Sequence, residues 1–246
     1  TVSWPKPAQA IEAKNYEDLV FPALGDINIP DYERYELDNG LVVYLMEDHD
    51  LPLVSGSATF RTGDYLVSPA QAGLAEITGQ AMRLGGTFDH PPNELNELLE
   101  QRAASVETSI GATSGSASFS SLTEDLPEGF GLFADVIVNP AFDEEQVALI
   151  EGRTAGGIAR RNDSPDDIAS REFRKQIYGE SSPYARTVEY ANLEAISRDD
   201  VVNFYKTTLM PENTILGIVG DFDPDAMKML IADALGDWTC SDPKNI

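Results

Sequence analysis

Residues 73–82 read GLAEITGQAM. Leu74, Ile77, Ala81 and Leu84 recur at steps of three and four, the period of a helix face laid on a core. Glu76 and Gln80 are four apart and share another face, with Gly79 beside them. Gly85 and Gly86 supply the stop. A glycine inside a helix costs roughly 1 kcal/mol relative to alanine, so something other than helix stability shapes this segment.

Upstream, residues 32–37 and 41–47 read as strands around Asp38-Asn39-Gly40, a strong hairpin signal. A third strand, 54–62, ends at Gly63-Asp64. Downstream, Asn93 is the expected N-cap of a helix whose apolar stripe runs Leu95, Leu98, Leu99, Ala103, Val106. Residues 108–122, rich in Ser, Thr, Ala and Gly, read as one strand with little side-chain bulk. Such a backbone is open to pairing with another extended chain, which makes Ala112, Thr113, Ser114, Gly115 and Ser116 candidates for peptide pairing. The plainer alternative is a sheet edge packed on its own neighbour.

Five helices and a strand follow. Phe130, Phe133, Ala134, Ile137 and Val138 form the stripe of the first helix, which Asn139-Pro140 ends. Asp143 and Gln146 look like the capping pair of a long helix reaching Arg161. Ser164-Pro165 starts another, with Phe173 and Ile177 inward and Gly179 as its stop. Ser197 and Asp200 open a helix carrying Val201, Phe204 and Tyr205. Residues 214–219 form a buried-type strand, and Asp223-Pro224 caps a last helix with Met227, Leu230, Ile231 and Ala234. Early hairpin strands argue against a doubly wound parallel sheet. The pattern predicts an α+β domain, a largely antiparallel sheet flanked by helices. The expected division is an extended, proline-punctuated arm (1–30), the domain (31–238) and the start of a linker (239–246).

The chain has 246 residues, 17 Lys plus Arg against 42 Asp plus Glu, and a formal charge of −25. Such a field repels phosphate backbones and anionic membrane surfaces, which excludes nucleic acid as a partner and favours basic peptides. Solubility or a salty habitat is the plainer reading of the same charge. No apolar run is long enough for a transmembrane segment. Cys240 is the single cysteine, so no internal disulfide exists, and His49 and His90 lie in no zinc-type cluster. The first residue is Thr1 rather than Met, which together with the acidic composition gives an exported or periplasmic location as the expectation.

Several stretches together resemble the N-terminal half of the pitrilysin/insulinase/mitochondrial processing peptidase family. RYELDNGLVVYLMED (34–48) is similar to the family's opening hairpin, and PAQAGLAEITGQAMRLGGT (69–87) to its metal-binding helix. SLTEDLPEGFGLFADVIVNPAFDEEQV (121–147) resembles the helix and loop before the third-ligand helix, and FYKTTLMPENTILGIVGDFDP (204–224) the end of the half. Active members carry His-x-x-Glu-His, two imidazoles on one helix face for zinc and a glutamate as general base, completed by a carboxylate from a later helix. On this chain the first histidine falls at Glu76, the base at Gly79, the second histidine at Gln80 and the third ligand near Gly157. All four are replaced, so these are vestigial zinc-site positions, and neither zinc nor any other cofactor is expected.

The resemblance further implies a clam-shell of two such halves around a peptide. The second half then lies elsewhere, or the sequence is a domain of a longer chain. The leading expectation is a non-catalytic subunit or domain that shapes a peptide-binding chamber with a homologous zinc-bearing partner and receives basic or extended peptides. One alternative is a scaffold homo-oligomer. Another is an enzyme of residual or different chemistry, with Glu76 acting beside Asp89 or His90. The basic groups Arg160-Arg161 and Arg171, Arg174, Lys175 read as intramolecular ion-pair partners.

Overall fold

The computed structural model describes residues 16–19 and 30–239. The chain divides into two units, Thr1–Asp31 and Tyr32–Ile246. Of the first, residues 16–18 form a single 3-10 turn. Most of the expected arm, and Cys240 with the expected linker beyond it, lie outside the described residues.

The second unit carries one six-stranded sheet. In chain order its strands are β1 (Glu33–Glu36), β2 (Val42–Glu47), β3 (Leu53–Phe60), β4 (Ser105–Ile110), β5 (Gly115–Leu122) and β6 (Thr214–Gly220), and their spatial order is β1-β2-β6-β3-β5-β4. Only β2 and β6 run parallel; the other four pairings are antiparallel. The helices are α1 (Leu74–Leu84), α2 (Pro92–Gln101), α3 (Leu126–Val138), α4 (Glu144–Arg160), α5 (Pro165–Tyr178), α6 (Tyr190–Glu194), α7 (Arg198–Thr208) and α8 (Pro224–Leu235). The expected α+β class holds.

Alternation along the strands aims one set of side chains at the helices: Val43 and Leu45 of β2, Val54, Ala58 and Phe60 of β3, and Leu216 and Ile218 of β6 are all buried. The aromatic centre of this core joins β5 to α3. Phe119 lies 4.8 Å from Phe133 and 5.5 Å from Phe130, ring centre to ring centre. Phe142 stacks edge-on to Tyr205 at 5.3 Å, and the Tyr205 hydroxyl donates to Ile137 O at 2.6 Å. That bond satisfies a buried phenol with a carbonyl that α3 leaves open at its end.

The hairpin at Asp38-Asn39-Gly40 forms as expected, with Gly40 at φ 87, a conformation that L side chains rarely adopt. Asn39 also works at long range, its Nδ2 donating to Leu235 O at 2.7 Å and Gly236 O at 3.2 Å, so the first hairpin closes the end of the last helix. Asp143, Ser164, Ser197 and Asp223 cap α4, α5, α7 and α8 through their side chains.

Four expectations fail. The helix expected to start from Asn93 begins at Pro92, with Pro91 at its N-cap, and stops at Gln101. Ala103 takes a left-handed φ of 48, and Val106 belongs to β4. The single strand expected over 108–122 is a hairpin, β4 and β5 joined through 111–114, which hid because small residues run unbroken through strand and turn alike. Phe173 and Ile177, expected inward, are exposed, and α5 buries no residue at all.

Candidate functional site

Helix α1 sits at the junction of the core. It packs on β4 and meets α3, α4 and α7. Leu74, Ile77, Ala81 and Met82 are buried, leaving Glu76 exposed and Gln80 half-buried on one side. That side faces α4. Glu76 and Gln80 from α1, Arg153 and Gly157 from α4, Arg161 at its C-cap, and Thr187 from the loop before α6 line a cleft of about 410 Å³. A smaller cavity of about 150 Å³ adjoins it, sharing Glu76 and Val188 and reaching Asp64 and Arg186. Three of the four positions expected to be vestigial, 76, 80 and 157, therefore line one cleft.

The fourth does not. Gly79 is buried and lines neither cavity. A Cβ on Gly79 would lie 2.3 Å from Ile110 N and 2.8 Å from the Ser109 carbonyl carbon. Real Cβ atoms essentially never show such distances, and the obstacle is backbone, which cannot rotate away. The Thr108 hydroxyl donates to Gly79 O at 2.6 Å, and Arg83 Nε donates to Val106 O at 2.9 Å. Helix and strand thus touch backbone to backbone, and this contact is what the glycine in GLAEITGQAM permits. Gly157 is the opposite case, for a Cβ there would meet nothing within 4 Å.

The donor set does not fit zinc. The cleft offers one carboxylate, Glu76, and one amide, Gln80, whose Nε2 donates back to Glu76 Oε1 at 3.3 Å. Gly157 offers no side chain, and the two arginines of the lining bring positive charge against a dication. Among the described residues no group of three or more His, Cys, Asp or Glu is placed to hold a metal ion. His90 pairs with Glu94 at 3.4 Å, and His49 bonds Asp221 at 2.6 Å. Neither histidine lines the cleft, nor does Asp89, so the acid/base pairing considered for Glu76 has no partner there.

The expected peptide-pairing residues need correction. Ala112, Thr113 and Ser114 lie in the β4–β5 turn, where Ala112 O accepts from Tyr65 N. Gly115 and Ser116 belong to β5, which is paired on both sides: Gly115 with Phe60 and Ile110, Ser116 with Thr59 and Ser109. An inner strand has no edge to offer. The outermost strand on this side is β4.

Sequence reasoning missed Arg186. Its Nη1 donates to Asp64 O at 2.8 Å, Val67 O at 2.8 Å and Asp64 Oδ2 at 3.1 Å, and both side chains are 15% exposed. This anchors the wall formed by 183–188 to the loop after β3. No local motif marks it, because the partners lie more than a hundred residues away. Of the basic groups weighed earlier, Arg161 pairs with Glu189, and Arg171 and Lys175 both pair with Glu172.

Comparison with known proteins agrees with the fold. Residues 195–246, a span that includes α7, β6 and α8, match the family model of the Peptidase M16 inactive domain. An uncharacterized zinc protease of Rickettsia bellii is 23% identical over 193 residues, covering 76% of this chain and 46% of that protein. Subunit 1 of the bovine mitochondrial cytochrome b-c1 complex is 20% identical over 198 residues, 80% of this chain and 41% of that one. The crystal structure of a peptidase M16 inactive domain from Pseudomonas fluorescens superposes with a TM-score of 0.80 at 21% identity, covering 88% of this chain and 53% of that one. The chain thus spans about half the length of the proteins it matches. The likeness to peptidase halves read from the sequence is met by the fold.

Proposed function

We propose that this chain, which has the fold of an M16-type peptidase half, is a non-catalytic half that contributes a peptide-binding wall to an assembly whose chemistry resides in a zinc-bearing partner. The observation that carries the reading is the split placement of the four positions at which the resemblance puts a metal site. Residues 76, 80 and 157 line an open cleft, whereas Gly79 is packed shut against β4. A scaffold that had lost all use for the cleft has no reason to keep it open.

The lining also bears on the peptide. The chain is strongly acidic, yet the cleft holds two arginines against one glutamate. Arg153 has no ion pair among the described residues, and Glu76 is tied only to Gln80. Such a surface suits extended peptides carrying both signs of charge, in place of the uniformly basic peptides that overall composition suggests.

The test is to measure peptide hydrolysis by a zinc-bearing relative alone and with this chain added. A rise above the relative alone supports the proposal. An unchanged rate with this chain in excess counts against it.

A scaffold reading is the alternative, favoured by the likeness to a cytochrome b-c1 complex subunit. It predicts a stable assembly that ignores peptides.

A further inference from the structure

The cleft is a local exception to the charge of this chain. Over 246 residues 42 Asp and Glu stand against 17 Lys and Arg, yet the cleft lining carries Arg153 and Arg161 against Glu76 alone. The two arginines are held differently. Arg161 Nη1 donates to Val188 O at 2.9 Å and its Nη2 to Glu189 Oε2 at 2.5 Å, so its charge is already met. Arg153 makes no hydrogen bond and no ion pair among the described residues. Its own helix gives it no carboxylate, for the residues three and four away on α4 are Leu149, Ile150, Gly156 and Gly157. Glu76, across the cleft, accepts from Gln80 Nε2 at 3.3 Å and pairs with neither arginine.

The surface beside Arg153 is shaped as well as charged. Residues 153, 157 and 161 follow at four-residue steps along one side of α4. The two arginines stand about 12 Å apart along the axis, with Gly157 midway. A Cβ at Gly157 would meet nothing within 4 Å, so between the arginine stems the helix backbone lies bare. A guest chain can lie against that stretch, which any larger side chain at 157 would fill. A guanidinium receives a carboxylate through two parallel N–H···O bonds, and such charge-assisted bonds are roughly twice as strong as neutral ones. The field of the whole chain, formally −25, adds selectivity. It opposes a peptide rich in acidic groups and leaves the site to one carrying a single carboxylate.

We propose that Arg153, beside the bare backbone at Gly157, is a carboxylate-recognition site for a peptide lying in the cleft. The carboxylate is that of an acidic side chain or of the peptide's C-terminus. The proposal rests on the reading of the cleft as a peptide-binding wall and names what that wall selects.

Titration of the full chain with three heptapeptides, followed by nitrogen-15 NMR, tests it. All are N-acetylated and carry one leucine and one lysine. The first has a central glutamate and an amidated end, the second a central glutamine and an amidated end. The third has the glutamine and a free C-terminal carboxylate. The first or the third should bind at least about tenfold tighter than the second, the scale of one charged hydrogen-bonded contact. Whichever does identifies the source of the carboxylate. Arg153→Gln should remove the preference and leave the second peptide's affinity unchanged. Gly157→Leu should weaken the preferred peptide by filling the bare stretch. Arg174→Gln, which removes the same charge from α5 outside the lining, should leave the preference intact. All three sites are exposed, so circular dichroism should show an intact fold throughout. Equal affinity for the three peptides, or a preference that survives Arg153→Gln, overturns the proposal while the peptide-wall reading stands. Binding of none of the three removes both.

Discussion

Replacing Gly79 by alanine sets two known effects against each other. Helix propensity alone favours alanine by about 1 kcal/mol at an interior helix position. Packing opposes it, since the new Cβ would stand 2.3 Å from Ile110 N, 2.8 Å from the Ser109 carbonyl carbon and 3.0 Å from Ile110 Cγ1. Overpacking a tight core costs typically about 1–3 kcal/mol, and an obstacle made of backbone puts this site at the upper end. The Thr108 bond to Gly79 O at 2.6 Å resists the helix backing away. The net expectation is a loss of about 1–2 kcal/mol, read as a lower urea midpoint at unchanged slope. For a chain of this size that is a fall of roughly 2–8 °C in Tm. Gly157→Ala is the internal control, with the same residue types in another helix, open space around the Cβ and an expected gain of up to about 1 kcal/mol. If Gly79→Ala stabilised the protein as Gly157→Ala does, the argument that β4 fixes this glycine would be refuted.

Two further perturbations probe the surroundings. Arg186→Ala should destabilise by about 3 kcal/mol in urea titration, because it leaves Asp64 and two carbonyls without their shared donor in a largely buried wall, and Arg186→Lys should rescue only part of that loss. His49 should titrate above its ordinary 6.5 by proton NMR, raised first by its hydrogen bond to Asp221, with Glu47 adding to it, and Asp221→Asn should bring it back down. The signs follow from that bond. The His49 contribution is complete below pH 6.5 and is lost as pH rises through the raised value. Asp221, held below 3.8 chiefly by the same bond, contributes above that pH and loses its share as pH falls through the lowered value. The pair therefore supports the fold most in mildly acidic solution.

Much of the fold was legible because local chemistry declares itself. Asn39-Gly40 can hardly be anything but a tight turn, and Asp143, Ser164, Ser197 and Asp223 each announce a helix start. Long-range choices were not legible. Nothing near Val42 says that its neighbour is Ile215 in parallel. The turn between Ile110 and Gly115 was masked by small residues that suit strand and turn equally. Periodicity marked Phe173 and Ile177 as one face of a helix but carries no information about whether that face is covered. At the candidate site, spacing put Glu76 and Gln80 on one helix face, and the family resemblance added Gly157. They did not reveal that Gly79 serves strand packing, because that depends on where β4 lies, and Arg186 escaped for the same reason.

The central claim is that this peptidase-type half keeps the cleft and not the metal chemistry. Calorimetric titration of the purified chain with Zn²⁺ tests it most directly. The account predicts no stoichiometric binding and no difference between the chain and its Glu76→Ala variant. One tightly bound zinc per chain, lost on Glu76→Ala, would contradict it.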